Sequence, residues 1–182
     1  MSKFRPRDPL LLAGKVITFL TQGLMAIAAA ALAIALPVLL FMQDRINLEL
    51  AEEYAGSVGP LPILPIVAVI VLALAAIVLL YLFFGKLRRI IGTVGEGDPF
   101  VPDNADRLSA MAWMMLGVYL LGIAISVVGV TVTNWASQLD GVHVSSGISF
   151  DASSILLVII LFILARVFRH GAAMREDLEG TV

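Results

Sequence analysis

Few residues in this 182-residue chain are of types that do chemistry. With no cysteine there is no disulfide, no thiolate metal site and no cysteine nucleophile. His143 stands near Asp140 and Asp151, residue types that titrate near neutrality or hold a metal. A metal site needs several ligands, and two acids beside one histidine favour a solvated loop histidine instead. Gly95 and Gly97 flank Glu96, a spacing that invites comparison with a phosphate-binding loop. The Gly-Lys-Ser/Thr that such a loop needs after its spaced glycine is absent. Thr18, Thr21 and Gln22, and later Thr131, Thr133 and Asn134, are polar islands in apolar sequence, suited to hydrogen bonds between helices. No convergent acid, base and nucleophile emerges, so the expectation is a protein that is not an enzyme and has no cofactor, catalytic or metal site.

The elements that carry these residues are apolar to an unusual degree. The chain is 60% hydrophobic and 14% charged, whereas a soluble domain is about 45–50% apolar and about 25% charged. A soluble fold of this size cannot hide so much apolar surface from water. Four runs are long and apolar enough to cross a bilayer, at about 16–42, 61–84, 109–132 and 152–168. In lipid each run must satisfy its own backbone, so helices are expected, and the alternation of a membrane barrel strand is missing. The first run follows a basic N-terminus, as a signal peptide would, but it is longer than a signal core and continues through Pro37 to Met42. The expected fold is therefore all-α, a single membrane domain formed as an integral membrane four-helix bundle.

Charge sets the expected sidedness. Lys3, Arg5, Arg7 and Lys15 precede the first run, and Lys86, Arg88, Arg89 and Arg107 separate the second from the third. Arg166, Arg169 and Arg175 end or follow the fourth. These are eleven of the 12 basic residues, and only Arg45 falls on the other side. By the positive-inside rule both termini and the 85–108 loop are cytoplasmic, and loops 43–60 and 133–151 are outside. Trp113 and Trp135, near opposite ends of the third run, are the expected interfacial anchors.

The connecting segments differ in specificity. Residues 43–60 fit either a short helix lying on the membrane or a solvated acidic connector. Residues 142–150 alternate in a way that suits a small strand or hairpin. Small residues at Ala28 to Ala31, and Gly117, Gly122 and Gly129, permit close helix packing and a homo-oligomer. The cytoplasmic loop reads Gly95-Glu96-Gly97-Asp98-Pro99-Phe100-Val101-Pro102-Asp103-Asn104. Its prolines fix φ, its glycines allow a tight turn, and Asp103 or Asn104 suits an N-cap. The tail 169–182 continues the fourth run, with Met174 and Leu178 on one helical face, able to pack on the Asp98–Pro102 turn or grip a partner.

Gly97 to Asn104 with Arg107, Leu108 and Trp113, and the ending Val167-Phe168-Arg169-His170-Gly171, Met174 to Leu178 and Thr181-Val182, carry a resemblance. They resemble the signature of the YoaS-like bacterial membrane proteins, the family grouped as domain of unknown function 2975. The resemblance implies four helices in the inner (plasma) membrane and no assigned chemistry. It also implies a cytoplasmic partner, a small helix-turn-helix regulator encoded nearby. No DNA-binding element is visible in the chain itself, so direct nucleic-acid binding is not expected.

The expected function is regulatory or scaffolding. Asp98, Pro99, Phe100, Val101 and Pro102, with Arg169, Met174, Arg175, Asp177 and Leu178, are the expected docking residues. The competing class is a small transporter or channel subunit. It is disfavoured because buried charges mark ion pathways, and the four runs carry none between their ends.

Overall fold

The computed structural model describes residues 9–55, 57–139 and 152–179, with the backbone alone for Ala152, Leu178 and Glu179. The hairpin expected at 142–150, His143 with its two acids, and Gly180 to Val182 lie outside the described residues. Four helices follow in chain order: α1 (Pro9–Glu53), α2 (Ile63–Glu96), α3 (Pro102–Ala136) and α4 (Ala152–Glu179), and no strand occurs among the described residues. Each carries one of the four apolar runs, with α2 beginning two residues into the second, and each is long and apolar enough to cross a membrane.

The helices outlast the runs. α1 has 45 residues, about 67 Å at a 1.5 Å rise, against about 20 residues for a bilayer core. Residues Gln43 to Glu53, read from sequence as either a short surface helix or a solvated connector, prolong α1. Arg45 and Glu49, one turn apart, pair at 3.1 Å along this stretch. α1 also runs unbroken through Pro37, which has no N–H to offer the Ala33 carbonyl.

Compactness divides the chain into two units. The first comprises residues 1–26, 79–117 and 151–182, and so takes a part of α1, α2 and α3 and the whole of α4. It is a four-helix arrangement. Its core is Ile90 of α2, Leu108, Met111 and Ala112 of α3, and Leu161 and Ala165 of α4. Phe83, Leu87, Val94, Met115, Phe162 and Phe168 pack around them. Gly14 brings α1 against Ile91, where an added Cβ would stand 3.3 Å from the Ile91 Cδ1. Gly117 does the same for α3 against Leu79, at 3.0 Å, so that small residue is used within the chain.

The second unit comprises residues 27–78 and 118–150. Its connector between α1 and α2 is tied at two points. The Leu61 N–H donates to Asn47 Oδ1 at 2.8 Å, and the Trp135 indole N–H donates to the Gly59 carbonyl at 2.9 Å. Trp135, expected as an anchor by its position, thus also fastens this loop.

The polar islands divide in the same concrete way. Gln22 does bond across helices, its Nε2 donating to the Tyr81 carbonyl of α2 at 3.2 Å. Thr18 and Thr21 instead donate to carbonyls of their own helix, Gly14 and Ile17, and Thr133 donates to Val130. A threonine hydroxyl reaches a carbonyl three or four residues back with no partner helix at all.

Outside the small core the surface is apolar. Ile17, Phe19, Leu20, Leu24, Ile27, Ile34 and Phe41 of α1 are all exposed, Phe41 by 89%. In water such a surface would associate; in a bilayer it is the surface lipid requires.

Candidate functional site

The expected docking residues come together in the first unit, where the turn between α2 and α3 meets the last turns of α4. α2 ends by chain chemistry. Gly97 takes a φ of 86°, a left-handed conformation that glycine adopts at no steric cost. Its N–H donates to the Val94 carbonyl and the Asp98 N–H to the Thr93 carbonyl, both at 3.0 Å. This is the paired closure of a Schellman motif. α3 then begins at Pro102, whose fixed φ suits the first helical position and whose absent N–H costs nothing there.

Asn104 does something other than cap. It is fully buried, and its Nδ2 donates to the Pro99 carbonyl at 2.9 Å and to Thr93 Oγ1 at 2.7 Å. Its Oδ1 accepts from Arg107 Nη1 at 2.8 Å. The Thr93 hydroxyl in turn donates to the Ile90 carbonyl at 2.9 Å. One amide thus joins the end of α2, the turn and the first turns of α3. Asp103 pairs with Arg107 at 2.9 Å, one helical turn on.

α4 closes on this turn. Phe100 lies over Gly171, where a Cβ would stand 2.7 Å from the Phe100 Cδ1. Its ring also packs against Phe168, with centroids 5.3 Å apart. Arg175 pairs with Asp98, and Arg169 pairs with Asp106 at 3.3 Å. The two segments singled out in the sequence are therefore one structural unit. Asp98 and Phe100 make the contacts from the turn, while Pro99 supplies the carbonyl and Pro102 the helix start. Val101 is half-buried and its carbonyl accepts from the Asn104 N–H. On α4, Arg175 binds the turn at Asp98, and Arg169 binds Asp106 in the first turns of α3. Asp177 is exposed, and Leu178 continues the helix with its side chain outside the described residues.

What remains open beside this contact is a groove of about 650 Å³ lined by Phe100, Arg166, Val167, His170, Gly171, Met174 and Arg175. Its lining is mostly apolar and includes the cations Arg166 and Arg175. Met174 is 52% exposed there. Arg166 has no ion pair among the described residues. Sequence reasoning missed Gly171, Thr93 and the role of Asn104. A glycine inside an otherwise regular helical stretch is a signal of close approach, and Gly171 is one. Nothing in the sequence pairs Thr93 with Asn104.

Trp113, the other expected anchor, is 62% exposed and meets Phe162 edge to face at 5.5 Å. No group of three or more His, Asp or Glu side chains able to hold a metal occurs among the described residues.

Four apolar helices of this length, with large hydrophobic side chains turned outward, define a multi-pass membrane protein. The family model described as Protein of unknown function (DUF2975) matches residues 43–182. The chain belongs to this family, and the matched stretch contains both the turn and α4. No curated protein and no solved structure matches the chain.

Proposed function

We propose that the chain is a non-enzymatic regulatory or scaffolding protein of the inner (plasma) membrane that presents the α2–α3 turn and the end of α4 to a soluble cytoplasmic protein. The observation that carries this reading is the docking of the two segments on each other through Phe100–Gly171 and Asp98–Arg175, with an open apolar groove beside them. A turn that served only to reverse the chain would need neither. Eleven of the 12 basic residues fall in the unit that holds the groove, which supports a cytoplasmic position for it.

The groove's chemistry describes its occupant. An apolar lining of Phe100, Val167 and Met174 takes an apolar side chain, and Arg166 in the same lining takes a carboxylate beside it. The partner is thus a soluble protein offering an apolar residue flanked by an acid. The family resemblance points to a small helix-turn-helix regulator, so nucleic acid would be met through the partner.

Capture from solubilised membranes tests the reading. Met174 is half out of the fold, so Met174→Glu leaves the turn intact and places a carboxylate in the groove. Loss of the proteins captured by the wild-type chain is expected. Recovery of the same proteins with Met174→Glu and with Arg166→Glu would overturn the proposal. Solute flux in liposomes would favour the competing reading of a transporter or channel subunit.

A further inference from the structure

A second cavity lies elsewhere in the first unit, between α1 and α2, and the docking reading makes no use of it. It is a cleft of about 730 Å³ lined by residues that include Lys15 and Gln22 of α1 and Tyr81, Lys86, Arg88 and Arg89 of α2. Four cations line one concavity. None has a carboxylate partner among the described residues, whereas Arg45, Arg107, Arg169 and Arg175 each have one. The Arg88 guanidinium lies 5.7 Å from the centroid of the Phe19 ring, a placement that holds the side chain without neutralising it. Gln22 spends one N–H of its amide on the Tyr81 carbonyl. The second has no partner among the described residues. Gly85 lets that amide lie close to α2: a Cβ there would stand 3.2 Å from Gln22 Nε2.

Charge of one sign in a concavity calls for an anion. Unpaired like charges repel one another, and a multivalent oxyanion relieves this while accepting several charge-assisted hydrogen bonds. The surroundings say which anion. Ile17, Phe19, Leu20, Tyr81 and Leu82 are exposed on the same two helices, so the polar cleft adjoins apolar surface fit for acyl chains. Basic pockets between membrane helices take phosphate headgroups in this way. We infer that the α1–α2 cleft is a binding site for the phosphate-bearing headgroup of an anionic membrane lipid, with Lys15, Lys86, Arg88 and Arg89 as its cations and Gln22 as a neutral donor.

Native mass spectrometry of the full chain in detergent tests this, with phosphatidylglycerol as the probe, phosphatidylcholine as the zwitterionic control and inorganic phosphate as the soluble competitor. Preferential retention of phosphatidylglycerol is expected. Each cation near a membrane surface changes anionic-lipid affinity roughly fivefold, so Arg88→Gln with Arg89→Gln should weaken it about 25-fold. Arg166→Gln with Arg169→Gln removes the same charge outside the cleft and should leave retention nearly unchanged. A steric variant keeps every charge. A Cβ on Gly92, which lines the cleft, meets nothing within 4 Å, so Gly92→Leu fills the space and should also lower retention while the helical signal persists. Equal losses in the two double variants, no preference over phosphatidylcholine, or full retention by Gly92→Leu would overturn the site. Displacement of the lipid by millimolar inorganic phosphate would overturn its assignment to a lipid.

Discussion

Phe100 rests on the backbone of Gly171: a single methyl group added to the glycine would stand 2.7 Å from Cδ1 and 3.0 Å from Cε1 of the ring. No carbon approaches carbon so closely without displacement, so either the ring or the helix must give. The ring is 41% exposed and is the part free to move. If it moves, it leaves Phe168 and alters the groove that it lines.

Gly171→Leu is accordingly expected to lower stability by about 1–3 kcal/mol, the usual range for overpacking, and to abolish partner capture. Unfolding in detergent followed by far-ultraviolet circular dichroism reads the first, and capture from membranes the second. Gly129, whose added Cβ meets nothing within 4 Å, is the control. Gly129→Ala should hold or slightly raise stability, because alanine is the better helix former.

Asn104 supports a second prediction. Its amide is fully buried and satisfied on both sides. Asn104→Ala removes three hydrogen bonds and strands the Pro99 carbonyl and one face of Arg107, at a cost of about 1–3 kcal/mol. Asp103→Ala loses only an ion pair whose carboxylate is largely exposed, worth about 1 kcal/mol or less. Comparing the two by chemical unfolding separates the network from surface charge, and equal effects would show that Asn104 does not organise the turn.

The four helices were legible because lipid imposes a simple rule: an apolar run must close its own backbone bonds. The turn was legible in part. Gly97, Pro99 and Pro102 announce it through backbone chemistry, and the local closure at Gly97 follows from sequence neighbours. Its attachment to α4 was harder to read, because Asp98 and Arg175 are 77 residues apart and charges at that separation do not declare their partners. The helix ends were read short where α1 enters the first connector and on both sides of the turn between α2 and α3, since polar residues such as Gln43 to Glu53 end an apolar run without ending a helix. Asn104 looked like a cap because an asparagine after a proline-rich turn often is one. Pro102 already starts the helix, and that leaves the amide free to reach backward to Thr93. The α1–α2 cleft was invisible for the same reason as the α4 contact: Lys15 and Arg88 are remote in sequence, and their counts spoke only to sidedness.

Gln22 offers a third test. Its Nε2 donates to the Tyr81 carbonyl of α2, a bond between helices within apolar sequence. Such bonds average about 0.6 kcal/mol in membranes and reach about 1.7. Gln22→Leu is expected to destabilise within that range, measured by unfolding in bicelles. Thr21→Val, which removes a bond inside one helix, should cost less. The reverse order would mean that the Gln22 bond does not join α1 to α2.

Sidedness is the last prediction, and the chain is suited to it because it has no cysteine of its own. Glu52, near the end of α1, and Glu176, near the end of α4, are both exposed, so a thiol at either position reports where that helix end lies. With eleven basic residues on one side and Arg45 alone on the other, the positive-inside rule predicts Glu176 in the cytoplasm and Glu52 outside. In intact cells a membrane-impermeant maleimide should label Glu52→Cys and spare Glu176→Cys until the membrane is broken. The inverse pattern would place the groove outside and remove any cytoplasmic partner from consideration. Labelling of both in intact cells would mean an even number of crossings between them, which is incompatible with α2, α3 and α4 all crossing. The experiment therefore bears on the docking reading as directly as on the fold, because a groove lined by Arg166 can meet a soluble regulator only from the side on which that regulator lives.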